Sequence, residues 1–162
     1  MAPDLRIEPA TEDDVPLVLK LVKKLAEYER LSHEVVATEE DFRKALFSPD
    51  RVAEALLAFR GAEPVGFALY FSTFSTFVGR PGIYLEDIFV EPEHRGHGIG
   101  AALLARIAKI ACDRNCGRLE WSVLTWNELA IGFYERLGAR RMEDWRVFRL
   151  AGAALRDLAG AG

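Results

Sequence analysis

Metal-binding side chains are scarce in this chain: two cysteines and three histidines among 162 residues. Cys112 and Cys116 fall on one face of a predicted helix with no other Cys or His beside them. They read as two free thiols, not as a zinc site or a disulfide framework. No metal is expected, and such thiol usage fits a reducing cytoplasm. Long apolar runs are missing as well. None approaches the roughly 18 residues of a membrane span, and no secretory apolar core follows Met1. No membrane partner is expected, and the expected location is cytoplasmic. Nor is there an excess of positive charge. The formal net charge of −4 argues against nucleic acid or an anionic membrane as partner and mildly favours cationic ones. No internal repeat occurs.

What is present is the composition of a globular domain. Apolar residues make up 50% and charged ones 28%, enough to bury a core and too apolar for disorder. The length suits one domain, expected at residues 1–150, followed by an Ala- and Gly-rich tail at 151–162, either a short frayed helix or disordered. Leu5–Glu8 reads as a first strand. Thr11 and Asp14 approximate a capping box before a helix whose Val15, Val18, Leu19, Val22 and Leu25 recur at helical spacing up to Tyr28. Thr38-Glu-Glu-Asp41 caps a shorter helix that ends near Phe47. Val52–Phe59 and Val65–Phe74 form a hairpin around Gly61–Pro64, and Gly79–Gly82 turns the chain into a strand at Ile83–Val90. A helix over Gly98–Asn115, a strand at Arg118–Thr125, a helix capped by Asn127 and ended at Gly138, and a strand at Trp145–Leu150 complete the pattern. This order specifies an α/β or α+β domain with a mixed sheet. The crossover from strand 83–90 to strand 118–125 is parallel.

Residues 83–100 are the most informative. An apolar strand is followed by Glu91-Pro-Glu-His-Arg95 and then by Gly96-His97-Gly98-Ile99-Gly100, which opens a helix. Glycines there leave backbone N–H groups gathered at a helix N-terminus, a site for phosphate. Gly96-x-Gly98-x-x-Ala101 also fits a dinucleotide fingerprint, with Glu120 near the place of the ribose acid. Five residues separate the strand from the first glycine, however, and only about 60 follow, too few for the rest of such a fold. No Gly-Lys-Ser/Thr follows, so a P-loop is excluded.

Strand, Arg95-x-x-Gly98-x-Gly100 and helix resemble the acetyl-CoA loop of the GNAT acetyltransferases. A second motif agrees with it, Trp126-Asn127-Glu-Leu-Ala-Ile-Gly-Phe133-Tyr134-Glu-Arg-Leu137-Gly138-Ala139. Within that superfamily the chain looks most like the diamine (spermidine/spermine) and thialysine acetyltransferases. The likeness runs through Arg6–Thr11, Leu25–Glu29, Tyr84–Val90 and Trp145–Phe148. The resemblance implies the GNAT fold, a mixed and mostly antiparallel sheet flanked by helices on both faces. It also implies transfer of an acetyl group from acetyl-CoA to a primary amine. The backbone of Ile88, Phe89 and Val90 would run beside the pantetheine, with Asn127 near it. The pyrophosphate would lie on Arg95, Gly96, His97, Gly98, Ile99, Gly100 and Ala101. Tyr134 matches the proton donor to the CoA sulfur. Tyr28, Glu29, Glu86 and Glu143 match positions lining the acceptor site. A homodimer with the C-terminal region at its interface is implied too. The chain departs from the polyamine enzymes at Phe77, where a Trp is usual, and at Leu129, where a Pro is usual.

The residues can also be weighed without the family. Glu86 and Asp87 interrupt an apolar strand, and an unpaired buried carboxylate costs several kcal/mol, roughly, so the pair needs a reason. It is either a structural ion pair with an arginine or a substrate site for a cationic amine. Strict alternation sends the two acids to opposite faces unless a bulge intervenes. Glu86 is the candidate proton acceptor, directly or through water. Tyr134 is either a core tyrosine or the general acid for the departing thiolate. His33, His94 and His97 read as solvated loop residues, and Trp121 and Trp126 either line a cleft or pack. The reading is an acetyl-CoA-dependent N-acetyltransferase acting on a small cationic amine by direct attack. A protein N-terminal or lysine acetyltransferase and a catalytically silent acyl-CoA-binding regulator stand as alternatives.

Overall fold

The computed structural model describes residues 4–161 in two compact units, one running to Leu124 and one beginning at Thr125. The first holds β1 (Leu5–Pro9), α1 (Val15–Tyr28), α2 (Glu39–Phe47), β2 (Glu54–Arg60), β3 (Glu63–Ser75), β4 (Arg80–Val90), α3 (Ile99–Asp113) and β5 (Leu119–Trp121). The second holds α4 (Glu128–Arg136) and α5 (Gly152–Gly160). Local chemistry sets the helix starts. Thr11 and Asp14 form a capping box over a 3-10 turn that leads into α1, and Thr38 and Asp41 form another at α2. Gly98, at φ +78°, enters α3 in a left-handed conformation that side chains with a Cβ adopt at a cost.

The five strands lie in the order β1-β2-β3-β4-β5; the first three pairings are antiparallel and β4–β5 is parallel. This is the mixed sheet expected, with its parallel step where α3 crosses over. Val18 and Leu21 of α1 and Leu46 of α2 pack with Ala55, Leu57, Phe67, Leu69 and Phe89 on one face. Each such side chain contributes about 1.5–3 kcal/mol by leaving water. The other face belongs to α3. A Cβ on Gly66 would lie 3.6 Å from Leu103, and Leu103 and Ile107 are fully buried.

One irregularity shapes the sheet. β3 and β4 pair Leu69 with Asp87 and Tyr70 with Leu85, so Glu86 is an extra residue, the centre of a β-bulge. The bulge resets the alternation: Tyr84 before it and Asp87 and Phe89 after it all lie on the α1 side. Pairing with β5 stops at Leu85–Trp121, the last pair before the bulge. Beyond it β4 leaves β5 and continues to Val90 paired with β3 only.

Two expectations need correction, and one left open is resolved. The strand expected over 118–125 spans only Leu119–Trp121, because the bulge carries β4 away from it. The strand expected at Trp145–Leu150 does not form. A strand needs a partner for its backbone groups, and among the described residues the second unit holds no other. The tail, left open between helix and disorder, contains α5, built from the good helix formers Ala, Leu and Arg.

Candidate active site

The gap between β4 and β5 organises the first unit. Glu91 N–H donates to Val65 O at 2.8 Å, which makes Gly66–Val90 a pair without mutual hydrogen bonds. By ladder alternation Phe89 turns its peptide groups toward β3, while Ile88 and Val90 turn theirs into the gap. An extended ligand can pair there as a further strand would. Of the three residues matched to the pantetheine, then, Ile88 and Val90 turn backbone toward the open edge, the Val90 carbonyl already accepting from Arg95 Nε, whereas Phe89 contributes a ring to the core.

The loop after β4 runs through a 3-10 turn at Pro92–His94 to α3. Gly96 and Gly98 adopt φ +80° and +78°. The first intrahelical bond is Ala102 N–H to Gly98 O, 3.0 Å, so the N–H groups of Ile99, Gly100 and Ala101 have no acceptor within the helix. They form the anion-binding end that the glycine spacing predicts, aided by the helix dipole. A Cβ on Gly100 would meet nothing nearer than Val90 Cγ2 at 3.9 Å, so protein packing does not require glycine there. Pyrophosphate fits this cradle, and the backbone of Gly98 through Ala101 would hold it.

Arg95 behaves differently from the expectation. Its backbone N–H is used by Pro92 O at 3.2 Å, its Nε donates to Val90 O at 2.8 Å, and its guanidinium lies 4.7 Å from the ring centre of Tyr28 and 5.3 Å from that of Phe89. It fastens the loop to β4 and α1 instead of reaching for phosphate. His94 is not a solvated residue. Its side chain is largely buried, Nε2 lies 3.3 Å from Glu63 Oε1, and Nδ1 is buried without a partner. The turn at Pro92 folds the ring against β3. His97 and His33 are exposed, as expected.

At the bulge three carboxylates meet. Burial is the main reason that the Asp87 carboxyl titrates at about 7 instead of 3.8, and the negative charges of Glu86 and then Glu29 add to it. Both of these neighbouring charges are negative. Burial also raises Glu29, which caps the C-terminus of α1. Glu86 itself is exposed. Glu29, Glu86 and Asp87 are thus brought together, with Tyr28 one residue from Glu29. No group of His, Cys, Asp or Glu among the described residues is arranged to hold a metal ion. Sequence reasoning missed Tyr84 and Ser122. Their hydroxyls lie 2.6 Å apart on the α1 side, where β5 leaves β4. The signal was Tyr84 lying two residues before the acids.

The second unit holds the remaining candidates. The Asn127 side chain accepts from Ala130 N–H at 3.3 Å and caps α4, as predicted. Gly138, at φ +97°, ends the helix, with Ala139 N–H bonded to Tyr134 O at 3.1 Å. Tyr134 lies on α4 beside Phe133, ring centres 5.5 Å apart, and is half-buried. Glu143 is exposed, with Arg141 Nη1 4.0 Å away. Arg141 also binds Glu135 through two nitrogens, at 3.2 and 3.1 Å, which holds the Glu135 carboxyl below its usual range.

Comparison with known proteins agrees with this geometry. Residues 20–139 match the Acetyltransferase (GNAT) family. A thialysine N-epsilon-acetyltransferase of Bos taurus is 42% identical over 167 residues, covering 95% of this chain and 96% of that protein. An L-ornithine N5-acetyltransferase of Arabidopsis thaliana is 32% identical, covering 94% and 87%. Among solved structures, an integron cassette protein from the mobile metagenome of V. cholerae superposes with a TM-score of 0.80 at 28% identity, covering 96% and 98%.

Proposed function

The chain belongs to the acetyltransferase (GNAT) family, and on that premise we propose that it transfers the acetyl group of acetyl-CoA to a primary amine of a small cationic acceptor. The favoured acceptors are a diamine, a polyamine, or a basic amino acid of the lysine or ornithine type. One observation carries the choice of a cation: the bulge gathers three acids, and the negative charges of Glu86 and Glu29 both act on Asp87, the most buried of them. An ammonium placed there removes that repulsion. The acceptors named for the relatives, thialysine and ornithine, are amines of this kind.

Acetyl-CoA supplies an activated thioester, so the amine attacks directly. The pyrophosphate rests on the N–H groups that open α3, and the pantetheine pairs with Ile88 and Val90. The ammonium sheds its proton to Glu86, directly or through water. Asp87, at about 7, is matched to hold and release that proton near neutrality. The Tyr134 hydroxyl is assigned to protonate the departing thiolate, and Glu29 and Glu143 are each second candidates for holding the distal charge of a diamine. We place the catalytic domain at residues 1–150 with 151–162 as an appendage, and the enzyme in the cytoplasm as a homodimer. No helix among the described residues is long and apolar enough to cross a membrane.

The test is steady-state turnover on a panel of diamines, basic amino acids and monoamines of equal length, with products identified by mass spectrometry. A preference for the second positive charge, diminished in Glu86→Gln and Glu29→Gln, is the expected result. Equal kcat/KM for mono- and dications would overturn the choice of acceptor, and absence of turnover on every amine would overturn the activity.

A further inference from the structure

The C-terminal half of α1 grips the loop after β4 at two places. Lys24 Nζ lies 2.5 Å from Glu91 Oε1, and the Glu91 side chain is only 10% exposed. One turn on, the Tyr28 ring lies under the Arg95 guanidinium at 4.7 Å. Residues 24 and 28 share one face of the helix. Glu91 and Arg95 bracket the 3-10 turn that delivers the chain to α3. The same helix ends at Glu29, whose charge acts on Asp87. The same arginine bonds the carbonyl of Val90, one of the two residues whose backbone faces the gap. Parts assigned to opposite substrates are therefore fastened to each other through Arg95.

We propose that Arg95 is a positioning residue that clamps α1 to the cofactor loop, so that occupation of the loop by acetyl-CoA sets the geometry of the acceptor acids, and the reverse. This rests on the acetyltransferase reading above. The physical reason is shared order. With a ligand on its N–H groups the loop holds Arg95 against Tyr28, and that contact fixes the last turn of α1, where Glu29 sits. A second ligand then meets a site whose ordering has already been accomplished, which is positive coupling. Lys24–Glu91 is the hinge pin of the arrangement. Glu91 is buried, so removing Lys24 leaves an unpaired buried carboxylate and lowers stability as well. It is the wrong residue to test.

The experiment measures CoA affinity by calorimetry with and without a saturating amine that wild type acetylates, and the KM for each substrate, in wild type, Arg95→Gln, Tyr28→Leu and Tyr28→Phe. Linkage requires that CoA strengthen amine binding by the same factor as the amine strengthens CoA binding. The expected wild-type factor is roughly two- to fivefold, the scale of a partly exposed cation–π contact. It should fall toward one in Arg95→Gln and Tyr28→Leu and survive in Tyr28→Phe, which keeps the ring. Arg95→Gln, which meets the acceptor side only through the Tyr28 ring, should raise the amine KM by about the same factor. The clamp is overturned if wild type shows no coupling, or if Arg95→Gln changes only the acetyl-CoA KM. Should Tyr28→Leu not fold, Arg95→Gln decides alone, by the amine KM. Failure of wild type to acetylate any amine is a different result, and counts against the activity instead of the clamp.

Discussion

Asp87 is held in the folded protein at about 7, against 3.8 for an ordinary aspartate, by burial and by Glu86 and Glu29. The native state therefore binds this proton more tightly than the unfolded chain. The stability contributed is complete below about pH 3.8 and is lost as pH rises through about 7. Asp87→Asn should match wild type near pH 4 and exceed it above pH 7, by at most about 4 kcal/mol. Urea unfolding at pH 5 and pH 8 reads this directly; a variant no more stable at pH 8 than wild type means that neither burial nor the neighbouring acids raise Asp87. A saturating diamine at pH 8 should raise the wild-type melting temperature more than that of Asp87→Asn. Tyr134→Phe should lower kcat by about 10²–10⁴-fold with acetyl-CoA affinity unmoved, the size of a positioned general acid. A falling melting temperature with kcat within a few-fold would make Tyr134 a packing residue. Both acids were legible in the sequence because carboxylates interrupt an apolar strand. Their meeting was not, since the bulge at Glu86 is a matter of register between β3 and β4, and register depends on the partner strand. Arg95 shows the opposite limit. The motif picks out the residue, yet the direction of its side chain is decided by Tyr28, distant in sequence.

At the scale of elements, the turn into α3 separates two kinds of glycine. Gly96 and Gly98 have positive φ and satisfy a backbone demand. Any side chain at Gly98 costs about 1 kcal/mol or more through strain, whatever binds there. Gly100 sits in helical conformation, and a Cβ there would make only an ordinary contact with Val90 Cγ2 at 3.9 Å. Gly100→Val is therefore the cleaner probe. It should leave the melting temperature within a few degrees and weaken acetyl-CoA at least tenfold, because its methyls occupy the phosphate side of the helix end. Titration calorimetry measures both affinities, and an unchanged value would remove the pyrophosphate from this site. The element order through α4, both capping boxes and the parallel crossover were legible because each follows from local spacing: Thr-x-x-Asp, a hydrophobic repeat, a glycine stop. The length of β5 was not, since its apolar run through Val123 and Leu124 outlasts the strand it pairs with. Gly66 makes a related point about close approach. A Cβ there would lie 2.6 Å from Phe89 O, so Gly66→Ala should push β4 at the residues facing the gap and cost stability as well as cofactor affinity.

At the scale of the molecule, the second unit poses a question of company. Residues 145–150 carry Trp145, Val147, Phe148 and Leu150, a composition suited to a strand. Yet they form none, and Val147 and Phe148 are 85% and 93% exposed. Farther on, Leu155 and Leu158 of α5 are exposed as well. Scattered apolar residues on a surface need no explanation, but six large ones within fourteen positions of one segment do. A strand-like segment without a partner strand in its own unit can find one in a second copy. The two copies of residues 145–150 pairing about a two-fold axis would give each backbone its hydrogen bonds and cover the exposed rings. The prediction is a wild-type homodimer in sedimentation velocity at micromolar concentration. Phe148→Asp, which puts two like charges near the axis and removes the most exposed ring of the segment, should shift it to monomer. The secondary structure of the first unit should be unchanged by circular dichroism. Dimerisation weakened by Phe148→Asp and retained by Phe77→Ser, a change at the exposed tip of the β3–β4 hairpin, would locate the interface in the C-terminal segment. The reverse pattern would move it to the hairpin, and a wild type that sediments as a monomer would remove the need for either.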